Sequence, residues 1–445
     1  RMNRICIIGA GISGLSIASE KKKLGKIVKV FESANRIGGV IESEEIDGYL
    51  LDYGANTLNV RLKSTKERLE NCGAWDSCID ANLLANKRMI VRDGKIVDLP
   101  HSFLSFLTSP FLSFKGKLRL LAEPLVARSN EPENESVASF IKRRLGQEAL
   151  DYAANPFLAG IFAANPETLI LNQAFPKFAV LEKNYRSILL GLKKSRKLSD
   201  NPNLPTSRLV SFPNGMEELP EKLGCSLKNE ISLSTSVKKI SRNNNSWAVT
   251  VQKQTGEQTV HDFDQVISTI PSHRLDSIDW QNIKEHDELN ILNSSTHHPL
   301  AMVYLGYEKK DILHPLDGFG FLVPEVEKKK ILGTLFSSTL FPGRAPDGKI
   351  LLTTFIGGER DPSLAQQKES TLISTAKKEL TNLLKIKGEP TFQKVKKWPN
   401  AIPLPDKQMI KCKKAAQKLS LQNPGLSFSG SYLCGVSLPN CLDAC

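Results

Sequence analysis

The sequence predicts an α/β fold: a discontinuous Rossmann-like dinucleotide domain, a mixed-sheet domain and a helical insert. Three observations predict it. A glycine fingerprint follows an apolar strand near the start, β-type segments return in two later blocks, and a run of helical periodicity lies between.

The first strand is read from Ile5, Ile7 and Ile8, and Gly9-Ala-Gly11-Ile12-Ser13-Gly14 follows it. Each glycine meets a separate need of a bound dinucleotide. Gly9 permits the tight turn, Gly11 leaves room for a pyrophosphate against backbone, and Gly14 lets the helix lie close on the sheet. That helix carries Leu15, Ile17 and Ala18 and stops at Leu24-Gly25. Its start, at Ile12 and Ser13, offers free N–H groups and a partial positive charge. The second strand ends at Glu32, about 20 residues on, where a carboxylate accepts from ribose hydroxyls and disfavours a 2′-phosphate. Ser33 follows, then Arg36-Ile-Gly38-Gly39. This second glycine pair favours FAD over NAD, because it lets the chain pass beside the pyrophosphate while the arginine adds charge.

Further on, Gly48 to Asn56 reads as a short strand into a polar loop. Residues 88–100 read as a hairpin turning at Asp93-Gly94, with Arg88, Ile90 and Arg92 on one face. From Ser102 to Asp200 the pattern is helical, and Ser136 to Gly146 is one capped helix. Strands return over 208–270, at Trp247–Val251 and Gln265–Ile270, the latter stopped by Pro271. They return again over 300–358, at Ala301–Leu305, Gly320–Val323 and Leu351–Ile356. A helix covers Ser370–Leu384, and Leu426–Gly430 is a last short strand.

The formal charge of +13 favours an anionic partner such as lipid head groups or an acidic substrate. No basic run with interleaved aromatics supports nucleic acid. Eight cysteines without a C-x-x-C pair predict free thiols in a reducing compartment. The early first strand predicts no signal peptide, and no apolar stretch is long enough to span a bilayer. The histidines show no metal spacing, His297-His298 reads as a surface pair, and Arg92 as solvated. Phe103, Phe106, Leu107, Phe111, Leu112 and Phe114 surround Pro110, with Lys115, Lys117 and Arg119 just after. Aromatics beside basic residues suit a membrane head-group layer; a buried helix pair is the alternative.

Several longer segments carry a resemblance. Asp52-Tyr-Gly54-Ala55 joins the fingerprint. Asn155 to Ala164, Ala174-Phe-Pro-Lys-Phe178, Asp317 to Pro324, Leu332 to Ser338, Phe341 to Pro346, Thr353 to Gly358 and Gly430 to Val436 follow. Together these resemble the FAD-dependent protoporphyrinogen oxidase family, within the amine oxidase-like flavoproteins, over nearly the whole length. The resemblance implies a FAD-binding domain of residues 1–84, 206–277 and 396–445. It implies a substrate domain of 85–100 and 278–395, and a helical membrane-associated domain of 101–205. Arg88 takes the place of an arginine that pairs with a substrate propionate, and Leu322, Leu335 and Phe355 fall where apolar side chains sandwich the tetrapyrrole. Gly160 and Ala164 lie in the segment beside the substrate. Gly54, Ala55, Asn56, Val237, Trp398, Gly430, Ser431, Gly435 and Val436 join the cofactor set. Ala164, Arg186 and Ser431 stand where the family has Gly, Gly and Asn. The implied reaction is oxygen-dependent six-electron oxidation of protoporphyrinogen IX by three hydride transfers to FAD, with no side chain needed as acid or base and no metal. Coproporphyrinogen III oxidation, amine or polyene oxidation, and a catalytically silent tetrapyrrole binder remain alternatives. The implied setting is the cytoplasm, peripherally on the inner membrane, with a homodimer left open.

Overall fold

The computed structural model describes residues 3–129, 131–199 and 207–443. The predicted helical end at Asp200, the 205/206 boundary and Cys445 lie outside the described residues, as does the Phe103 side chain. The chain is a mixed α/β molecule with several sheets.

The fingerprint opens a five-stranded parallel sheet, ordered Ile231–Ser232, Ile27–Phe31, Arg4–Ile8, Gln265–Ser268, Leu426–Phe428. Ile5 to Ile8 are all buried, as strands covered on both faces must be. Helix Ile12–Lys23 covers one face and ends with Gly25 at φ +73°, matching the predicted stop. On the other side lies a four-stranded sheet ordered Gln258–Phe263, Ser246–Lys253, Thr235–Asn243, Asp279–Gln281. Trp247 and Val249 bury themselves there with Cys6 and Ile8.

The largest sheet has seven strands, ordered Phe392–Trp398, Leu300–Glu308, Lys349–Gly357, Gly333–Leu335, Gly320–Leu322, Met89–Arg92, Lys95–Asp98. The predicted hairpin turn is present: Asp93 and Gly94 have φ +51° and +72°, the left-handed pair that fits a twisted two-residue turn. Helix Glu369–Leu384 covers one face of this sheet. Its Leu372, Ala376, Leu380, Leu383 and Leu384 fall on one helical stripe and are buried against Val303, Leu305 and Phe321. Each such buried leucine contributes about 1.5–3 kcal/mol.

Residues from Phe103 to Ser199 form a helical lobe. Ser136 caps helix Val137–Leu145 by accepting from the Ser139 N–H at 3.1 Å, and Gly146 ends it at φ +96°. That helix holds the lobe together by charge. Fully buried Arg144 meets Glu123 at 3.0 Å and also Glu182, while Arg143 bridges Glu135 at 2.9 Å and Glu182 at 2.8 Å. Burial pushes the Glu182 carboxyl up, but the two guanidiniums more than offset it and hold it below the ordinary carboxylate range. Among the described residues no helix is long and apolar enough to cross a membrane.

Candidate functional site

At the C-terminal end of the parallel sheet the two predicted glycine turns and Glu32 come together. Gly9 has φ +99°, and its N–H bonds the Phe31 carbonyl at 2.8 Å. A Cβ on Gly14 would sit 2.0 Å from the Gly9 carbonyl oxygen, so helix and strand approach as closely as glycine allows. Gly11, by contrast, has φ −72°, and its Cβ would meet only the Gly39 Cα at 3.9 Å: the space in front of it is open. Gly11 bridges Gly38, whose N–H bonds the Ala10 carbonyl at 2.8 Å, so the two glycine turns lie side by side. No side chain caps the helix start, leaving the amides at Ile12 and Ser13 for a phosphate.

Glu32 ends the second strand as predicted. Its carboxylate accepts from the Ala10 and Ala34 N–H groups, each at 2.8 Å, and from Ser33 Oγ at 3.4 Å, which fixes it beside the glycine turn. Arg36 also braces its own turn. Its guanidinium folds back to donate to the carbonyls of Ile37, Gly39 and Ile41 at 2.6–3.1 Å and lies 3.4 Å from Glu42 and 3.5 Å from Glu217. It braces the Gly38-Gly39 turn from within. Gly54, at φ +84°, passes so close to Val40 that a Cβ would lie 2.4 Å from its carbonyl, and Asn56 bonds back to Gly54. Gly430, at φ +128°, opens helix Ser431–Cys434 beside Thr269, and Gly435 turns at φ +108°. Val436 packs onto the helical lobe, and Val237 is buried at a bulge in its strand.

The predicted substrate residues share one face of the seven-stranded sheet, opposite the Glu369–Leu384 helix. Leu322 pairs with Gly333, Gly333 with Phe355, Leu335 with Thr353, and Ile90 with Leu322. Paired residues point the same way, so Leu322, Leu335, Phe355, Ile90 and, by alternation, Arg88 stand on this face. Trp398 joins them through Leu300, and its indole Nε1 is buried without a partner. Helix Asn155–Phe162 crosses the same face, and a Cβ on Gly160 would lie 2.8 Å from Leu322 Cδ2.

Some expectations are corrected. Ala164 does not face this wall; it is buried in the lobe core with Phe140 and Leu169, because Ala163 takes the left-handed conformation and turns the chain back. Ala163 is the alanine that packs toward Leu300 and Phe355. Arg92 is not solvated: it donates to the Phe111 carbonyl and to Glu148, both at 2.7 Å, over the Tyr152 ring. His297 is half-buried rather than fully exposed. It bonds Ser295 at 2.9 Å, packs edge-on against His273, and burial lowers its pKa to about 4. Phe111 and Leu112 are buried against Ile90, and Lys117 and Arg119 are spent on backbone carbonyls. Leu107 and Phe114 do face outward, with Leu104, Leu118 and Leu125.

One pair at the junction escaped sequence reasoning. Asp52 and Arg344 are both buried and lie 3.3 Å apart. Asp52 also accepts from Met216 N–H and Ser43 Oγ at 2.7 Å; burial raises its pKa, against the pull of Arg344. With Asn56, Tyr304, Leu335 and Thr353 they line a small cavity between the cofactor and substrate sets. Both residues lie in segments that carry the resemblance, but nothing in their spacing announces that they meet.

These residues fit a flavin dinucleotide. The open face of Gly11, the uncapped helix start, fixed Glu32 and the orphaned Trp398 indole each leave something for a ligand to fill. Residues 12–443 match the family model described as flavin containing amine oxidoreductase. The chain is 33% identical to protoporphyrinogen oxidase 2, chloroplastic/mitochondrial, of Arabidopsis thaliana, over 98% of its own length and 91% of the relative's. It is 26% identical to coproporphyrinogen III oxidase of Bacillus subtilis, covering 99% and 95%. In structure it is similar to a protein from Exiguobacterium sp. 255-15, with TM-score 0.81, 21% identity and coverage of 100% and 97%. It is also similar to cyclohexylamine oxidase from Brevibacterium oxydans, with TM-score 0.71, 15% identity and coverage of 100% and 97%.

Proposed function

Because the chain belongs to the flavin-containing amine oxidoreductases, within the group of protoporphyrinogen and coproporphyrinogen oxidases, we propose that it oxidises protoporphyrinogen IX to protoporphyrin IX. It is an FAD-dependent oxidase. The chemistry FAD supplies when bound is acceptance of an electron pair from a C–H carbon. The chain's own work is binding and orientation. Gly11, with Gly38 and Gly39, makes room for the pyrophosphate on the turn that Gly9 and Gly14 permit, the start of helix Ile12–Lys23 meets its charge, and Glu32 takes the ribose. Leu322, Leu335 and Phe355 offer an apolar wall to a flat macrocycle and keep water from the reacting carbon. Arg88 meets a propionate. No acid or base is assigned, since the product's aromaticity drives the loss of hydrogen. In the proposed balance, six electrons and six protons leave the substrate in three rounds, and three molecules of oxygen become three of hydrogen peroxide.

The observation that carries this reading is the common face: apolar residues drawn from separate strands, with one arginine at its end that has no carboxylate partner among the described residues. The test is product fluorescence on mixing the FAD-loaded protein with protoporphyrinogen IX and, in parallel, coproporphyrinogen III. Faster appearance of protoporphyrin supports the proposal; preference for coproporphyrinogen replaces it with that substrate. If flavin absorbance fails to bleach anaerobically with either, a silent binder is what remains.

The three domain assignments made from sequence are kept as part of this proposal. So is peripheral attachment at the cytoplasmic face of a membrane, supported by Leu104, Leu107, Phe114, Leu118 and Leu125, all exposed on the helical lobe. Co-sedimentation with anionic vesicles, lost in a Phe114→Asp/Leu118→Asp variant, is the expected result.

A further inference from the structure

Arg88 is exposed at one end of the substrate-side face, and among the described residues no carboxylate pairs with it. Its side chain is not loose. The guanidinium carbon lies 3.7 Å from the centre of the Phe319 ring. At that distance the guanidinium must lie flat on the ring. An edge-on approach would put a nitrogen between them and hold the carbon farther off. A flat guanidinium keeps its N–H groups in a plane parallel to the ring, where a carboxylate can meet two of them at once.

The chain is built to bring Phe319 to this place. It stands between two glycines. A Cβ on Gly318 would lie 2.2 Å from Met89 Cε and 3.0 Å from the Lys87 carbonyl oxygen. A Cβ on Gly320, at φ +137°, would lie 2.1 Å from the Thr334 carbonyl oxygen. Without those atoms the backbone presses in between strands Met89–Arg92 and Gly333–Leu335. There the Phe319 N–H donates to the Lys87 carbonyl at 3.0 Å, and its own carbonyl accepts from the Phe336 N–H at 3.1 Å. The Arg88 carbonyl accepts from the Leu99 N–H at 2.8 Å, so both backbones are fixed. The ring packs on a cluster of Ala85, Leu340 and Phe341. Lys87, the preceding residue, takes up Asp317 at 2.8 Å and Asp98 at 3.3 Å.

We infer that Phe319 is a positioning residue: its ring is a fixed platform that sets the plane in which Arg88 meets a substrate carboxylate. The inference rests on the tetrapyrrole reading above and deepens it. A long, exposed arginine would otherwise be ordered only when a propionate binds, at a cost in side-chain freedom. Stacking beforehand removes much of that cost. The gain therefore falls on affinity for the acid and not on the rate of hydrogen loss.

The test uses the FAD-loaded protein and two probes, protoporphyrin IX and its uncharged dimethyl ester, titrated by porphyrin fluorescence. Phe319→Leu and Phe319→Met each keep an apolar side chain on the cluster and remove the ring face. Both are expected to weaken diacid binding about fivefold and leave diester binding unchanged. Phe319→Tyr, which restores the face, recovers wild-type binding. For protoporphyrinogen IX the change falls on KM rather than kcat. Arg88→Ala weakens diacid binding further, and in that background Phe319→Leu adds nothing, because the ring acts through the guanidinium. Unchanged diacid binding in Phe319→Leu and Phe319→Met overturns the platform. So does an equal loss of diacid and diester, or a loss that persists without Arg88, since either makes the ring a direct contact or a packing residue. If Arg88→Ala binds the diacid as the wild type does, the propionate role falls first and the platform with it.

Discussion

In the five-stranded sheet, room for a ligand is made by atoms that are missing; in the seven-stranded sheet it is made by side chains that face one way. At the glycine turns Gly9 and Gly38 take backbone conformations that disfavour other residues, and Gly14 has no space for a Cβ. On the sheet face the backbone is ordinary, and the wall exists because Leu322, Leu335 and Phe355 sit in register on strands covered by a helix on their other side. The first kind of site fails when an atom is added. The second fails by degrees, as area or charge is removed.

The sharpest way to break the comparison is within the glycines themselves. Gly14→Val places a Cβ 2.0 Å from the Gly9 carbonyl and should cost the fold itself, by well over about 3 kcal/mol, seen as insoluble or protease-sensitive protein. A Cβ added at Gly11 meets nothing closer than 3.9 Å, so Gly11→Ala should fold normally and purify without flavin colour. Equal stability of the two variants would remove the distinction between packing glycine and ligand glycine.

The joint between the regions is next. Asp52→Ala leaves Arg344 buried and unpaired and should lower stability to urea by about 3–5 kcal/mol. A loss below about 1 kcal/mol would mean that the two regions are held together elsewhere.

A smaller effect comes from the loop that follows the parallel sheet. There Ser272 bonds Ser295, and Ser295 bonds His297, on the segment that enters strand Leu300–Glu308 of the large sheet. The folded-state pKa of His297, about 4, lies below the ordinary value of 6.5. Its contribution to stability is therefore present above pH 6.5 and lost as pH falls toward 4. His297→Asn should remove about 2 kcal/mol of acid sensitivity across that window, measured by urea titration at each pH.

The smallest expected change serves as a control in the lobe, away from both regions. Arg186 ends helix Pro176–Tyr185 at φ +61°, a conformation that favours glycine. Arg186→Gly should raise stability by about 0.5 kcal/mol, the relieved strain partly offset by a looser unfolded chain. No gain in melting temperature would count against strain at this position.

The same contrast explains how much was legible in the sequence. Gly9, Gly11, Gly14 and Glu32 were readable because local geometry restricts which residues fit, so the pattern is written in consecutive letters. Helix Glu369–Leu384 and the Asp93-Gly94 turn were readable for the same reason: period and positive φ are local. The bracing contacts of Arg36 are not legible in the sequence because its partners are carbonyls, which every residue possesses. Ala164 was misread because one left-handed residue, Ala163, reverses which neighbour faces the wall. Asp52 and Arg344 come together only through tertiary pairing, and no spacing in the chain encodes it.

The order of strands in the parallel sheet also sets a timetable for the growing chain. The strand that leads into the fingerprint cannot take its partner Gln265–Ser268 until the long stretch between them has left the ribosome, and Leu426–Phe428, which completes that side of the sheet, follows later still. Flavin capture at the glycine turns is thus deferred until that late strand is made, and the nascent chain spends the interval with an unfinished sheet edge exposed to chaperones and proteases. Supply of the vitamin-derived cofactor at that moment would govern how much polypeptide survives, before any turnover begins.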